Sequence, residues 1–234
     1  MIKLLLVLLI SFSFSYAHAD DAAKVKDLLQ KQYPQLGKID KTNNANILGL
    51  YEVVAQGQLF YTDEQARYLI SGNIIDLKTM SNLTEERSRK LLAIDFNSLP
   101  FDLAIKRVKG NGKRKMAYFS DPNCGFCKKL EAELKNVDNV TLYLFMLSIF
   151  QGSDKKVEGV WCSKDQVKAW DNLMLNNVSP PVGKCNAPTA KLMELSQKLN
   201  INGTPALFFT DGVLVSGFRP AAVLEKSLNS NLSR

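Results

Sequence analysis

Two cysteines separated by two residues, placed between an apolar run and an amphipathic run, constrain the fold of this chain more than any other feature. Cys124 and Cys127 follow the strand-like run 116–120 and a turn at 121–123. They open a helix-like run whose apolar positions recur every three or four residues as far as Val137. The sequence therefore predicts a strand, a tight turn and a helix that carries sulfur in its first turn.

The position of each sulfur predicts a different role for it. At the start of a helix, unpaired backbone N–H groups and the positive end of the helix dipole favour a thiolate over a thiol. We therefore expect Cys124 to be an exposed nucleophile, with Lys128 and Lys129 adding positive charge nearby. Cys127, one turn later and facing inward, is expected to reach the Cys124 sulfur but not a bulky substrate, as a resolving thiol does.

The residues alone leave two other interpretations of this pair open, an inert surface disulfide and half of a metal site. A zinc site would need a second close pair of ligands, whereas Cys162 and Cys185 lie far apart in sequence. The sequence therefore favours redox chemistry at Cys124 and Cys127, with no metal and no cofactor.

The first 19 residues have the pattern of a secretory signal. A positive charge at Lys3 precedes the apolar run Leu4–Tyr16, and Ala17-His18-Ala19 provides a small-x-small cleavage site. The apolar run is shorter than the roughly 20 residues of a membrane-spanning helix, although an uncleaved anchor is the alternative. Cleavage after Ala19 would remove the only histidine, which excludes Ser-His-Asp and Cys-His catalysis and His-ligated metals.

Residues 20–81 are expected to form a small domain, and residues 82–98 a linker. The small domain begins with an amphipathic helix at 22–33, followed by short β-rich runs at 47–55, 58–61, 67–70 and 73–77. So few elements have little core of their own, which favours pairing with a second copy. The linker is predicted as a charged helix from Thr84 to Asn97.

Residues 99–234 alternate between strand-like and helix-like runs, which argues for a sheet covered by helices. Strands are predicted at 104–108, 116–120, 140–147, 206–210 and 213–216. Helices are predicted at 124–137, 164–175, 188–199 and 221–228. Among the aromatic side chains Phe101, Tyr118, Phe126, Phe208, Phe209 and Phe218, only Phe126 is expected to lie outside the core.

Two further features carry alternatives that the residues do not decide. An exported chain is expected to pair Cys162 with Cys185 as a structural bridge, whereas a second redox centre or a substrate-reactive thiol is the other interpretation. Thr204-Pro205 precedes an apolar strand. A cis bond in a tight bend and a trans proline at an edge strand both fit that position.

Jointly, these motifs resemble the DsbC/DsbG type of bacterial periplasmic protein disulfide isomerase. The resemblance rests on Cys124-Gly125-Phe126-Cys127, on Gly203-Thr204-Pro205, on the insertion from Trp161-Cys162 to Cys185, and on the signal-plus-small-domain layout. It implies an α+β protein with a thioredoxin-like catalytic domain at 99–234, interrupted by a helical insertion. That domain would be joined by the linker helix to a small cystatin-like α+β dimerisation domain.

Carried over by position, the resemblance assigns roles to individual residues. Cys124 becomes the attacking cysteine and Cys127 its partner, while Cys162 and Cys185 match the structural bridge of the family.

The same resemblance implies a substrate surface around the cysteines. Pro205 becomes a cis-proline packed against them, and Thr204 presents its backbone to an extended substrate beside Gly125 and Phe126. Gly-Phe between the cysteines is closer to the isomerase branch, where Gly-Tyr is typical, than to the DsbG branch, where Pro-Tyr is usual.

The activity implied is reduction and reshuffling of non-native disulfides in secreted proteins, in the periplasm, by a homodimer that a DsbD-like membrane protein keeps reduced. The alternatives are a DsbG-like reductase of oxidised cysteines, a disulfide donor, and a redox-independent, chaperone-like binding protein. Thirty Lys and Arg against 23 Asp and Glu give a net charge of +7 that is spread along the chain. This distribution does not indicate a nucleic-acid partner. The short apolar run of the signal does not indicate stable membrane insertion.

Overall fold

The computed structural model describes residues 17–231 except Val182 and Lys184, and this part of the chain divides into two compact units between Ser88 and Arg89. Residues 1–16, and with them most of the predicted signal, lie outside the described residues. The backbone of the predicted cleavage site, residues 17–19, belongs to the first helix. Within residues 17–231, no helix combines the length and the apolar character needed to cross a bilayer.

The first unit consists of one helix packed on an antiparallel sheet. Helix α1 (Ala17–Gln32) buries Val25 and Leu29 against the sheet. The sheet contains β1 (Ile39–Asn44), β2 (Tyr51–Ala55), β3 (Gln58–Thr62) and β4 (Leu69–Ile70), in that order. A small hairpin of β5 (Ile75–Asp76) and β6 (Ser81–Asn82) follows.

One sequence prediction for this unit is wrong, and one of its strands was not predicted. The predicted strand 47–55 begins only at Tyr51, because residues 45–50 form a turn closed by the Ala45 N–H on the Leu50 carbonyl at 2.9 Å. Strand β1 was not predicted at all. It is a polar edge strand, so it lacks the alternation of apolar residues by which strands are identified.

Helix α2 (Leu83–Leu92) is also shorter than the predicted helix Thr84–Asn97. The Ile94 N–H donates to the Gly212 carbonyl at 2.9 Å, away from the helix axis. Asp95 then accepts the Asn97 N–H and begins a separate 3-10 turn at 96–98. The chain therefore leaves the helix because side-chain and tertiary hydrogen bonds replace the helical ones.

The second unit is a five-stranded sheet with helices on both faces. Its strands lie in the order β11-β10-β8-β9-β7, where β8 and β9 are parallel and the other pairs antiparallel. The strands are β7 (Ile105–Lys109), β8 (Arg114–Ser120), β9 (Val140–Met146), β10 (Ala206–Phe209) and β11 (Leu214–Ser216). The helices are α3 (Gly125–Leu134), α4 (Ser153–Trp161), α5 (Gln166–Asn176), α6 (Thr189–Lys198) and α7 (Ala221–Ser230).

The central strand β8 is buried on both faces. Met116 and Tyr118 join the core that contains side chains of α3, α4, α5 and α7, whereas Ala117 and Phe119 join the core beneath α6. Because successive side chains of a strand point to opposite faces, a strand covered on both sides is a continuous apolar run. This strand fixes where α3 begins, directly after the turn at its carboxyl end.

The predicted strands and helices of this unit are confirmed with shifted ends, but α4 was not predicted. Its first turn has no side-chain cap, because Gly152 stands at the N-cap with φ of +78°. Its interior contains Gly159 and two valines, which are weak helix formers. Tyr118, Phe208 and Phe209 are buried, Phe101 and Phe218 are half-buried, and Phe126 is exposed.

Cys162 and Cys185 form a disulfide that links the end of α4 to the segment before α6, with the two Cα atoms 5.6 Å apart. In the chain-entropy account, closing a loop of this length stabilises the folded state by roughly 3.5 kcal/mol.

A glycine in the β10–β11 turn is required by its surroundings. Gly212 has φ of +72°, and a Cβ there would lie 1.7 Å from the carbonyl oxygen of Ile94. Gly217 has a similar φ of +85°, but the nearest atom to a Cβ there, Nη1 of Arg219, is 3.7 Å away.

We expect Gly212→Ala to lower the free energy of unfolding by about 3 kcal/mol or more, since it adds a steric clash with backbone to left-handed strain. Gly217→Ala, which carries the strain alone, is expected to cost only about 1 kcal/mol. Urea unfolding of both variants measures the difference. Equal losses would show that the contact with Ile94 does not matter.

Candidate active site

Cys124 is the N-cap residue of α3, in the strand, turn and helix that the sequence predicts. Its backbone is extended, with φ of −79° and ψ of 118°, and its N–H donates to the Asp121 carbonyl at 3.1 Å. Its Sγ accepts the Cys127 N–H at 3.4 Å. One orphan donor of the helix start is thereby directed at the sulfur.

The accessibility expected of Cys124 is wrong. The residue is only 5% exposed, and its Sγ donates to the Thr204 carbonyl at 3.3 Å. That carbonyl can accept only from the protonated thiol, so ionisation of Cys124 ends this hydrogen bond. Attack on a substrate therefore requires the sulfur to exchange its contact with Thr204 for a contact with the incoming disulfide.

Cys127 is fully buried one turn further along α3. Burial raises the pKa of its thiol to about 12, and the neighbouring Ser120 hydroxyl, Asp121 backbone and Thr204 hydroxyl offset that rise only in part. Within the described residues, the hydroxyls of Ser120 and Thr204 have no partner of ordinary hydrogen-bond geometry. Both hydroxyls are consequently available to a Cys127 thiolate.

The Thr204-Pro205 bond is cis, which was one of the two conformations left open by the residues. Pro205 is buried and its carbonyl accepts the Gly217 N–H at 2.7 Å, which ties this segment to the end of β11. The contact from Thr204 to Cys124 brings the two sequence motifs together. Gly125 and Phe126, between the cysteines, are exposed beside this contact.

The two lysines expected to add charge near Cys124 each contact another side chain. The Lys128 ammonium donates to the Asn177 side chain at 2.6 Å, and the Lys129 ammonium lies 5.3 Å from the centre of the Phe126 ring. Within residues 17–231, no group of three or more His, Cys, Asp or Glu side chains is arranged to hold a metal ion.

Sequence reasoning missed Asp121, whose buried carboxylate joins the active-site turn to the loop after β9. One oxygen accepts from the Asn123 N–H at 2.7 Å and the Ser153 hydroxyl at 2.6 Å. The other accepts from the N–H groups of Ile149 and Phe150 at 2.7 and 3.1 Å. The Asp-Pro pair is a turn signal in sequence, but nothing in the sequence identifies the distant loop as its partner.

A second buried carboxylate, Glu131, lies on α3 one turn after Cys127. It accepts from the Tyr118 hydroxyl at 2.8 Å, from the Trp170 indole at 2.7 Å and from Arg107 at 3.3 Å. Burial, followed by the charge of Glu131, raises the pKa of Tyr118 well above its usual value. Burial alone would lower the pKa of Arg107, but Tyr118, Glu131 and Asp171 together raise it.

Each of the two units matches a known protein family. Residues 101–231, more than half of the chain, match the thioredoxin-like domain. Residues 16–85 match the N-terminal domain of disulfide bond isomerase proteins.

Individual proteins and structures give the same assignment. The DsbC thiol:disulfide interchange protein of Bordetella parapertussis is 43% identical over 77% of this chain, and the chain spans about two thirds (65%) of its length. The Bordetella avium protein of the same name is 40% identical over 92% of this chain and 76% of its own. A disulfide interchange protein from Neisseria gonorrhoeae is 40% identical with a TM-score of 0.55, covering 57% of this chain and 98% of that structure.

The cysteine pair at the start of α3, the cis Thr204-Pro205 bond whose Thr204 carbonyl accepts from Cys124, and both matching domains lead to one assignment: the chain belongs to the DsbC family of thiol:disulfide interchange proteins.

Proposed function

We propose that this protein is a periplasmic disulfide isomerase that reduces and reshuffles non-native disulfides in secreted proteins. The observation that carries the proposal is the difference in surroundings between the sulfurs of Cys124 and Cys127 at the start of α3. Cys124 accepts a helix N-terminal N–H at its Sγ, whereas Cys127 is sealed beneath it. Family membership supports the same chemistry. The N-terminal pattern supports export with cleavage after Ala19.

In the first half of the reaction, the Cys124 thiolate attacks one sulfur of a substrate disulfide. A bond forms between Sγ and that sulfur, the substrate S–S bond breaks, and the second substrate sulfur leaves as a thiolate that takes up a proton. The freed substrate thiol attacks another bridge of the same substrate. A final substrate thiolate then displaces Cys124, so isomerisation consumes no reductant.

Cys127 releases the substrate when these exchange reactions stop at the mixed disulfide. Its thiolate attacks Cys124 Sγ, the mixed disulfide breaks, and the substrate leaves reduced by two electrons while Cys124 and Cys127 become a disulfide. A dithiol reductant must then return two electrons and two protons. We propose a DsbD-like membrane protein for this step, on the family resemblance.

Replacing each cysteine separates these two steps. We expect Cys124→Ser to reduce refolding of a scrambled disulfide protein to the uncatalysed rate, because no thiolate forms at the N-cap. Cys127→Ser is expected to keep part of the activity and to accumulate mixed disulfides, detected by mass spectrometry after acid quenching.

The control is a Cys162→Ser/Cys185→Ser double variant, which leaves the α3 pair intact and is expected to retain turnover at a temperature where it remains folded. Full rescue of scrambled substrate by Cys124→Ser would refute the mechanism. A Cys124–Cys127 pair that is mainly oxidised in cells would instead indicate a disulfide donor.

The high pKa of Cys127, raised by burial to about 12, predicts the pH dependence of mixed-disulfide resolution. At any pH well below the pKa, the thiolate fraction grows about tenfold per pH unit. We therefore expect the decay rate of the Cys124–glutathione mixed disulfide to rise about tenfold per unit between pH 6 and 9. A rate that levels off near pH 7 would contradict the burial argument.

Homodimerisation is proposed through the edge of the first unit's sheet. The edge strand β4 exposes Leu69 and Ile70, and the exposed apolar side chains Tyr68, Leu77 and Met80 lie close to it in sequence. An edge strand with unpaired backbone groups and apolar side chains is a template for pairing with another chain. The match to the isomerase N-terminal domain supports a second copy as that partner.

We expect Leu69→Lys/Ile70→Lys to convert the dimer into a monomer in sedimentation velocity, because two charges at this edge oppose pairing. The matched control is Leu48→Lys, since Leu48 is 85% exposed but lies in the β1–β2 turn. Reduction of glutathione disulfide by Cys124 should persist in the monomer. A dimer that survives the double change would refute this interface.

A further inference from the structure

A continuous series of hydrogen bonds joins Lys156 on α4 to the buried carboxylate of Asp121. The Lys156 ammonium donates to Asn123 Oδ1 at 2.6 Å, and Asn123 Nδ2 donates to Ser153 Oγ at 3.0 Å. The Ser153 hydroxyl then donates to Asp121 Oδ1 at 2.6 Å. Asn123 directly precedes Cys124 in the sequence. The series therefore passes through the turn that carries the attacking sulfur.

The chemistry of the partners fixes the direction of every hydrogen bond in this series. An ammonium only donates, and a backbone carbonyl only accepts. Asn123 Oδ1 must therefore face Lys156, while its Nδ2 donates to Ser153 and to the Gln151 carbonyl at 3.0 Å. Hydrogen bonds that all point the same way polarise one another. This series carries positive charge at Lys156 and negative charge at Asp121.

The Asp121 carboxylate places a buried negative charge three residues before Cys124. Its four hydrogen-bond donors are all uncharged, namely the N–H groups of Asn123, Ile149 and Phe150 and the hydroxyl of Ser153. Within the part of the chain that the structure describes, no ammonium or guanidinium pairs directly with this carboxylate. A nearby negative charge opposes a second one at Cys124 Sγ, and a cation connected to the same turn offsets that opposition.

Lys156 is the cation that the hydrogen bonds connect to this turn. The other charged side chains on the two flanking helices are Lys128, Lys129, Glu131 and Glu133 on α3 and Asp154, Lys155 and Glu158 on α4. The loop 147–152 and the segment 203–205 contain no charged residue. Among these charged side chains, only that of Lys156 is hydrogen-bonded to the turn 121–123 within the described residues. Lys156 is also half-buried, so solvent screens its charge less than that of an exposed lysine.

We propose that Lys156 is a positioning residue for Cys124, which holds the Asn123 side chain in place and offsets the charge of Asp121 when the Cys124 thiolate forms. This inference rests on the proposed function, in which Cys124 is the attacking sulfur. A positive charge favours the thiolate over the thiol. Loss of the Lys156 charge therefore moves the ionisation of Cys124 to higher pH.

The test measures the rate at which iodoacetamide alkylates Cys124 as a function of pH. The full-length protein carries Cys127→Ser and retains the Cys162–Cys185 disulfide, so that alkylation reports Cys124. We expect Lys156→Met to move the midpoint of this profile upward by about 0.7 pH unit, which is about a fivefold loss of thiolate below the midpoint. Lys156→Gln keeps a donor for Asn123 but not the charge, and it should move the midpoint similarly. Lys156→Arg keeps both and should preserve the midpoint.

A second pair of variants tests whether Lys156 acts through Asn123. Asn123→Ala should move the midpoint in the same direction, because the ammonium loses its acceptor. Adding Lys156→Met to Asn123→Ala should then change the midpoint by less than half of the shift that Lys156→Met causes alone. Additive shifts would overturn the role assigned to Asn123.

Lys155→Met is the matched control, because Lys155 carries the same charge on the same helix but is exposed. It should leave the midpoint unchanged. A native midpoint in Lys156→Met or Lys156→Gln, or an equal shift in Lys155→Met, would overturn the inference alone. If Cys124 of the parent protein resisted alkylation over the whole pH range, the proposed function would fail with it.

Discussion

The Asp121 carboxylate is the interaction on which the geometry of the active site depends. It lies directly after β8, is buried, and accepts four hydrogen bonds from the active-site turn and the loop after β9. Four donors would lose their partner if this carboxylate were removed, and buried unpaired donors are costly. Its own carbonyl also receives the Cys124 N–H, so the same residue fixes where α3 begins.

The sulfurs of Cys124 and Cys127 have different surroundings because they occupy different positions in the first turn of one helix. Cys124 at the N-cap receives a backbone N–H, and its thiol is directed to the Thr204 carbonyl. Cys127, one turn later, is buried in the core beside the hydroxyls of Ser120 and Thr204. The proposed disulfide interchange uses this difference, since Cys124 would attack the substrate and Cys127 would react only with the mixed disulfide.

The sequence specified the main elements of the second unit and the central motif, because continuous apolar runs and helical periodicity are local signals. It did not specify β1 or α4, whose residues are polar or weakly helical and which are held by tertiary contacts. Around the site, Cys124 and Cys127 were identified from spacing, and Thr204-Pro205 from the family resemblance. Asp121 and Glu131 were missed because their roles depend on distant partners, 13 to 39 residues away, which only the fold brings near. The same reason explains the error about Cys124, whose sulfur is bonded to Thr204, 80 residues further along the chain.

The carboxylate of Glu131 sits among Tyr118, Trp170 and Arg107, close in sequence to a thiol that burial keeps protonated. Both resting redox forms of Cys127, the thiol and the disulfide, carry no charge. In the proposed reaction, the interior is therefore uncharged at this sulfur before and after each cycle, and the ion pair of Glu131 with Arg107 needs no rearrangement to accommodate either form.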